Sequence, residues 1–275
     1  MSMEQIKVVA ENEFTTIIKK PIVLVFIFVV FVLFLIEAIG SSMGPSMLMQ
    51  KLLQASALNP EYMILRFCLG NSFFNTSFLF CILSMCIGVF SIADERSRGG
   101  LQVLMCKPLY RRDIIIGKVL GISGLLALTI TFVLTVFTSI SIILYPFSLA
   151  TSFLDITIRM MSYMLVLLLL CVLTLTITMT VGLLFRNVMS ALTLSMALLY
   201  IQWYSDIPNV LGVLGVIDPE RLYIYAIETT SLNIFDSMIP YSNWLSGALP
   251  YIGMIIAEIV IITLINCILL NRESL

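Results

Sequence analysis

The sequence predicts an all-α, polytopic membrane protein, and three observations carry that expectation. Hydrophobic residues make up 60% of the 275 and charged ones only 11%, a balance outside the range of soluble domains. Several apolar runs reach the ~20 residues that a helix needs to cross a hydrocarbon core of about 30 Å. The charges gather between those runs, most densely from Asp94 to Asp113, where aqueous-side work would be concentrated.

The first element covers residues 4–20. Ile6, Val9, Ala10, Phe14, Ile17 and Ile18 recur at helical spacing, with Glu4, Lys7, Glu11 and Glu13 interleaved on other faces. An amphipathic helix lying along a membrane surface fits, because Lys19-Lys20-Pro21 leads straight into an apolar run; a soluble N-terminal helix is the plainer alternative. That run, residues 21–39, is longer than a signal-peptide core and lies behind a polar stretch, so it reads as a retained span.

Five more spans follow at about residues 73–93, 118–145, 160–185, 188–204 and 248–270, all within one membrane domain, 1–275. Residues 40–72 are too weakly hydrophobic to cross, and a short helix from Pro45 to Leu58 is expected inside them. Between Met160 and Tyr204 the polar break is Arg186-Asn187; one helix over that stretch would be about 67 Å long, twice what a bilayer takes, so two spans and a tight turn are needed. Residues 205–246 mix acids with short apolar pieces such as Val210 to Ile217, which could dip in as re-entrant helices if the protein buries their ends.

Six spans place both termini on one side. Lys7, Lys19, Lys20, Arg96, Arg98, Lys107, Arg111, Arg112, Lys118, Arg186 and Arg272 fall there, against Lys51, Arg66, Arg159 and Arg221 opposite, which makes the first side the cytoplasm of a plasma-membrane protein. Residues 40–72 and 205–246 would then face out.

Catalytic chemistry has little to work with. The chain holds no histidine, and its six cysteines are scattered, mostly in apolar runs where a thiol behaves as a small hydrophobe. Gly117-Lys118 is followed by Val119 and a span, so it is not a phosphate-cradling loop, and any ATP would be hydrolysed by another chain. No enzyme activity, metal or cofactor of its own is expected, and no nucleic acid among its partners.

The stretch at residues 95–112 reads as a short helix, Leu101 to Lys107, entered through Gly99-Gly100 and stopped by Pro108. Leu101, Leu104 and Met105 would anchor one face and leave Glu95, Arg96, Arg98 and Arg112 for a partner, although basic loops between spans also arise for topology alone. The order Glu95, Gly99, Leu101, Leu104, Pro108, Arg111 and Gly117-Lys118 resembles the cytoplasmic motif of ABC type-2 exporter permeases, with Gly100 at the family's threonine position. Glu13 stands where that family has a glutamate in its elbow helix, and Asp218-Pro219 with Tyr223 is similar to an Asn-Pro and Tyr element of the nitrous-oxide-reductase-maturation branch, with Ile224 where arginine is frequent there.

That resemblance implies an ATP-driven exporter permease with residues 95–112 as its coupling helix, docking on a separate ATPase present in two copies that carry the ATP and Mg. It also implies a second permease copy, as a homodimer. An assembly factor or sensor that uses a partner ATPase to act on an extracytoplasmic protein is the alternative.

Four features stay open at this level. Glu37 and Glu258 lie in apolar runs, where a carboxylate signals a pathway or partner, though Glu37 is near an end and could reach the interface; Glu258 could meet Asn266 or a polar group on another helix. Gly117 and Gly121 form a GxxxG that permits close helix packing. Thr174, Thr176, Thr178 and Thr180 could line a polar interface or bond back to their own helix, and Cys81, Met85 and Cys86 could attract a soft metal or simply fill space. Trp203, Tyr204 and Trp244 are expected at the outer membrane interface.

Overall fold

The computed structural model describes residues 3–42, 60–97, 111–144, 153–185, 187–204, 218–229, 232–235 and 239–272, and nearly all of them are helical. Helix α1 (Met3–Lys19) ends where Pro21 opens α2 (Pro21–Ser42), and the two axes bend by 71°. Proline suits this place because a first-turn residue needs no N–H partner within its helix. Helix α3 (Pro60–Val89), again opened by a proline, runs into a π-helical turn, Phe90–Asp94, and a final turn, Glu95–Ser97. Helices α4 (Arg111–Leu144), α5 (Phe153–Leu184) and α6 (Val188–Tyr204) follow, then α7 (Pro219–Ile227) and α8 (Tyr241–Arg272).

Four helices are long and apolar enough to cross a membrane, over Phe74–Ala93, Arg112–Val136, Thr157–Leu184 and Tyr241–Arg272. Helices α1 and α2 meet that test only together, as a bent pair, and α6 has 17 residues, about 26 Å of helix. The tight turn between α5 and α6 is where the sequence places it: Asn187 Oδ1 accepts from Met189 N–H at 3.0 Å, and Asn187 O accepts from Ala191 N–H.

Helix starts differ more than helix ends. Helix α3 begins at Pro60, so residues 60–72 of the expected outer excursion are helical, and α8 begins at Tyr241 and continues through Pro250. Helices α4 and α5 likewise start several residues before their apolar cores. Hydropathy marks what fits hydrocarbon, whereas backbone hydrogen bonding carries a helix onward into polar surroundings. The expected helix from Pro45 to Leu58 and the apolar piece from Val210 to Ile217 lie outside the described residues.

Helices α3 and α5 are the centre of the bundle and run parallel. Cys81 meets Thr174, Ser84 Oγ donates to Cys171 O, Gly88 meets Leu175 and Thr178, and Ile92 meets Gly182, so contact positions climb together along both helices. A methyl on Gly88 would collide with Thr178 Oγ1, which is why a residue without a side chain stands there. The four threonines of α5 all donate to carbonyls three or four residues back in their own helix, which settles them as self-satisfied rather than channel-lining. Cys81, Cys86 and Cys171 are buried in the same apolar core, and among the described residues no three Cys, Asp or Glu side chains converge to hold a metal.

At the end of the bundle away from α1, Arg159 is buried and its guanidinium forks onto Ile234 O at 2.8 Å and Ile239 O at 2.7 Å. It thereby ties α5 to a small antiparallel hairpin, β1 (Glu228–Thr229) and β2 (Leu232–Asn233). Trp203 and Trp244 sit at this end too, but inside the protein. Trp203 packs against Phe74 and Phe78, and Trp244 Nε1 donates to Ile227 O at 3.3 Å; Tyr204 alone of the three is exposed. The outer segment covers both indoles, so their amphipathic character serves the protein interior rather than a lipid headgroup layer.

Candidate functional site

The densest polar chemistry in the described bundle lies where α1, the end of α3 and the start of α4 meet. Lys118 is 1% exposed, and its ammonium donates to Glu13 Oε2 and to Glu95 Oε1, each at 2.9 Å. Ser91 completes the group: its hydroxyl donates to Glu13 Oε1 at 2.7 Å, while its O and Oγ lie 3.3 Å from Lys118 Nζ. One cation thus links three separate helical segments, and each charge has an opposite partner, the condition under which buried ions are tolerated.

Local sequence explains how the group assembles. In the π-helical turn Glu95 N–H bonds to Ile92 O instead of Ser91 O, the acceptor an α-helix would use, and this frees Ser91 O to face Lys118. On α4, Gly117 and Gly121 flank Lys118 and let α1 lie directly on the helix. A Cβ on Gly117 would stand 2.7 Å from Val9 Cγ1, and one on Gly121 would stand 2.6 Å from Ala10 O. The GxxxG is therefore a docking face for α1.

Glu13 is 6% exposed, which corrects its placement on the polar face of the first helix. It follows Ile6 by seven residues and precedes Ile17 by four, so it belongs to the buried stripe. A carboxylate inside an apolar stripe was the available signal for a buried partner. Sequence reasoning does not find Lys118 or Ser91 as site residues: a lysine at the mouth of a span reads as a topology charge, and nothing in the residues announces a π turn.

Of the other candidate residues, Arg96 donates to Leu183 O at the last turn of α5, a favourable place for a cation. Arg112 is exposed and lies 3.6 Å from the buried Asp113 carboxylate. Arg98, Gly99, Leu101, Leu104 and Pro108 fall outside the described residues, as do the side chains of Arg111 and Glu37, although α4 begins at Arg111 and Glu37 lies on α2. Glu95 and Arg96, expected to face a partner, each make a bond within the chain.

A second polar group surrounds α7. This helix lies antiparallel along α8: Tyr225 and Tyr251 rings are 5.4 Å apart, Leu222 packs with Ile255, and the Asp218 carboxylate is within electrostatic reach of Glu258. Burial raises Asp218 against the opposing influence of Arg221, and burial with the Asp218 charge pushes Glu220 up to about 7. Asn266 is not the partner of Glu258; its amide donates instead to Thr176 O at 3.0 Å and joins α8 to α5.

A family model described as ABC-2 family transporter protein matches residues 7–259. A search of curated proteins finds no match.

Proposed function

Because the chain belongs to the ABC-2 family of transporter membrane proteins, we propose that it is a permease that converts ATP hydrolysis by a separate subunit into movement of its own helices. The permease role follows from the family; the remainder of the assignment rests above all on the buried Lys118–Glu13–Glu95 group. That group joins α1 to both helices bordering residues 98–110, so force applied to this segment reaches α1, α3 and α4 together. Residues 95–112 are the coupling segment, and α1 is the elbow that follows it. Glu95 and Arg96 brace the base of the segment from inside; Arg98, Leu101, Leu104, Arg111 and Arg112 supply the face for an ATPase.

On this reading α1 lies along the cytoplasmic surface and the spans number six, with α2 and α6 as first and fifth. The parallel run of α3 and α5 supports an intervening span of opposite direction. Both termini are cytoplasmic, the working unit has two permease copies and two ATPases, and ATP with Mg is bound by the latter. The direction is export. Likeness to the nitrous-oxide-reductase-maturation branch rests on Asp218-Pro219 and Tyr223; in this chain Tyr223 is buried and donates to Tyr163 Oη at 3.1 Å, a packing role independent of that branch.

The test is co-purification of the full chain with candidate ATPase subunits in detergent. Leu104→Glu and Arg111→Glu should abolish association, whereas Lys118→Met should keep the ATPase bound and lose ATP-driven transport. Association that survives both segment variants would refute the placement of the contact.

A further inference from the structure

The group around α7 lies deep in the bundle. Pairings of α7 with α8 descend in step, Tyr225 with Tyr251, Leu222 with Ile255 and Asp218 with Glu258, while the other end of α7 meets the first turn of α8 through the Ile227 O bond from Trp244. Glu258 stands 17 residues after Tyr241 and 14 before Arg272. At 1.5 Å per residue that is about 25 Å and 21 Å from the helix ends, near the middle of a span in a hydrocarbon slab of about 30 Å. The start of α7 therefore reaches the mid-membrane level, and its Asp218 and Glu220 come with it.

Carboxylates at that depth need a compensating charge. Asp218 occupies the N-cap position but makes no capping bond, and its Oδ2 is buried without a hydrogen-bond partner. Glu220 is 9% exposed and likewise has no hydrogen bond or ion pair among the described residues. Arg221 acts on both, so three carboxylates share one nearby guanidinium. The three do not converge as metal donors do. Their spacing suits a larger cation that touches them in turn, and Tyr225 and Tyr251 offer ring faces one turn away. Beyond Glu258, α8 exposes Met254, Ile256 and Ile261 to the apolar surroundings, which an alkyl tail would share.

We propose that Asp218, Glu220 and Glu258 form a binding subsite for the cationic group, an alkylammonium or guanidinium, of an amphiphilic molecule that this permease moves. The site rests on the transport reading for its purpose, but its occupancy is measurable without an ATPase.

The experiment is equilibrium binding of a fluorescent dodecyltrimethylammonium probe to the full-length chain in zwitterionic nanodiscs, with empty discs as background and a neutral probe of the same tail as comparison. Wild type should bind the cation at least tenfold more tightly than the neutral probe. Asp218→Asn with Glu258→Gln should remove that preference, Glu220→Gln should reduce it several-fold, and the exposed Glu11→Gln should leave it intact. Equal wild-type binding of both probes, or a preference unchanged in the variants, would overturn the site even if a variant misfolded elsewhere, because the wild-type comparison stands alone. Cation preference together with failure of every ATPase to associate would instead count against the transport reading and leave the subsite standing.

Discussion

Replacing Lys118 by methionine keeps the stem's volume and removes the charge that links α1, α3 and α4. Two charge-assisted hydrogen bonds at 2.9 Å are lost, each worth about 1.5–3 kcal/mol, and Glu13 keeps the bond from Ser91. Direct loss of about 3–6 kcal/mol agrees with the ~3–5 kcal/mol seen when one member of a buried ion pair is removed. Removing the partners as well should recover much of it: Lys118→Met with Glu13→Gln and Glu95→Gln leaves no uncompensated ion and should lie within about 2 kcal/mol of wild type. Reversible unfolding in mixed micelles, read by tryptophan fluorescence, gives both values. A Lys118→Met cost under about 1 kcal/mol, or no recovery in the triple variant, would show that the three side chains are not coupled as their geometry requires.

Gly121→Val should detach α1, since its first side-chain carbon would meet the backbone oxygen of Ala10 at 2.6 Å; a loss of about 1–3 kcal/mol and faster protease cleavage within residues 3–19 are expected. Arg159→Met should leave Ile234 O and Ile239 O without their donor, and hydrogen exchange across residues 228–241 should rise, with Arg159→Lys only partly restoring protection because an ammonium lacks the planar fork. In the ligand-free protein, Glu220 titrates at about 7 folded against an ordinary 4.5. The folded state then binds the extra proton, so stability is full below pH 4.5 and declines as pH rises from 4.5 through 7, with Asp218 adding a loss of the same sign. Glu220→Gln should flatten that decline and be the more stable protein at pH 8; a wild-type stability that rises over this window would contradict the burial of Glu220.

The sequence by itself determined the class of fold, the turn at Asn187 and the apolar stripe that docks α1. These follow from local quantities: run length against bilayer thickness, a capping side chain, and helical periodicity. Gly117 and Gly121 were legible as a packing face, but not the identity of the helix packed there. Only the tertiary structure decided that Glu13 and Lys118, 105 residues apart, share one site, because their pairing depends on a π turn and on which helix lies over the GxxxG. The same holds for α7. Its nine residues carry no signal of depth, and its placement beside the middle of α8 comes from side-chain contacts between distant segments, which hydropathy along a single chain does not encode.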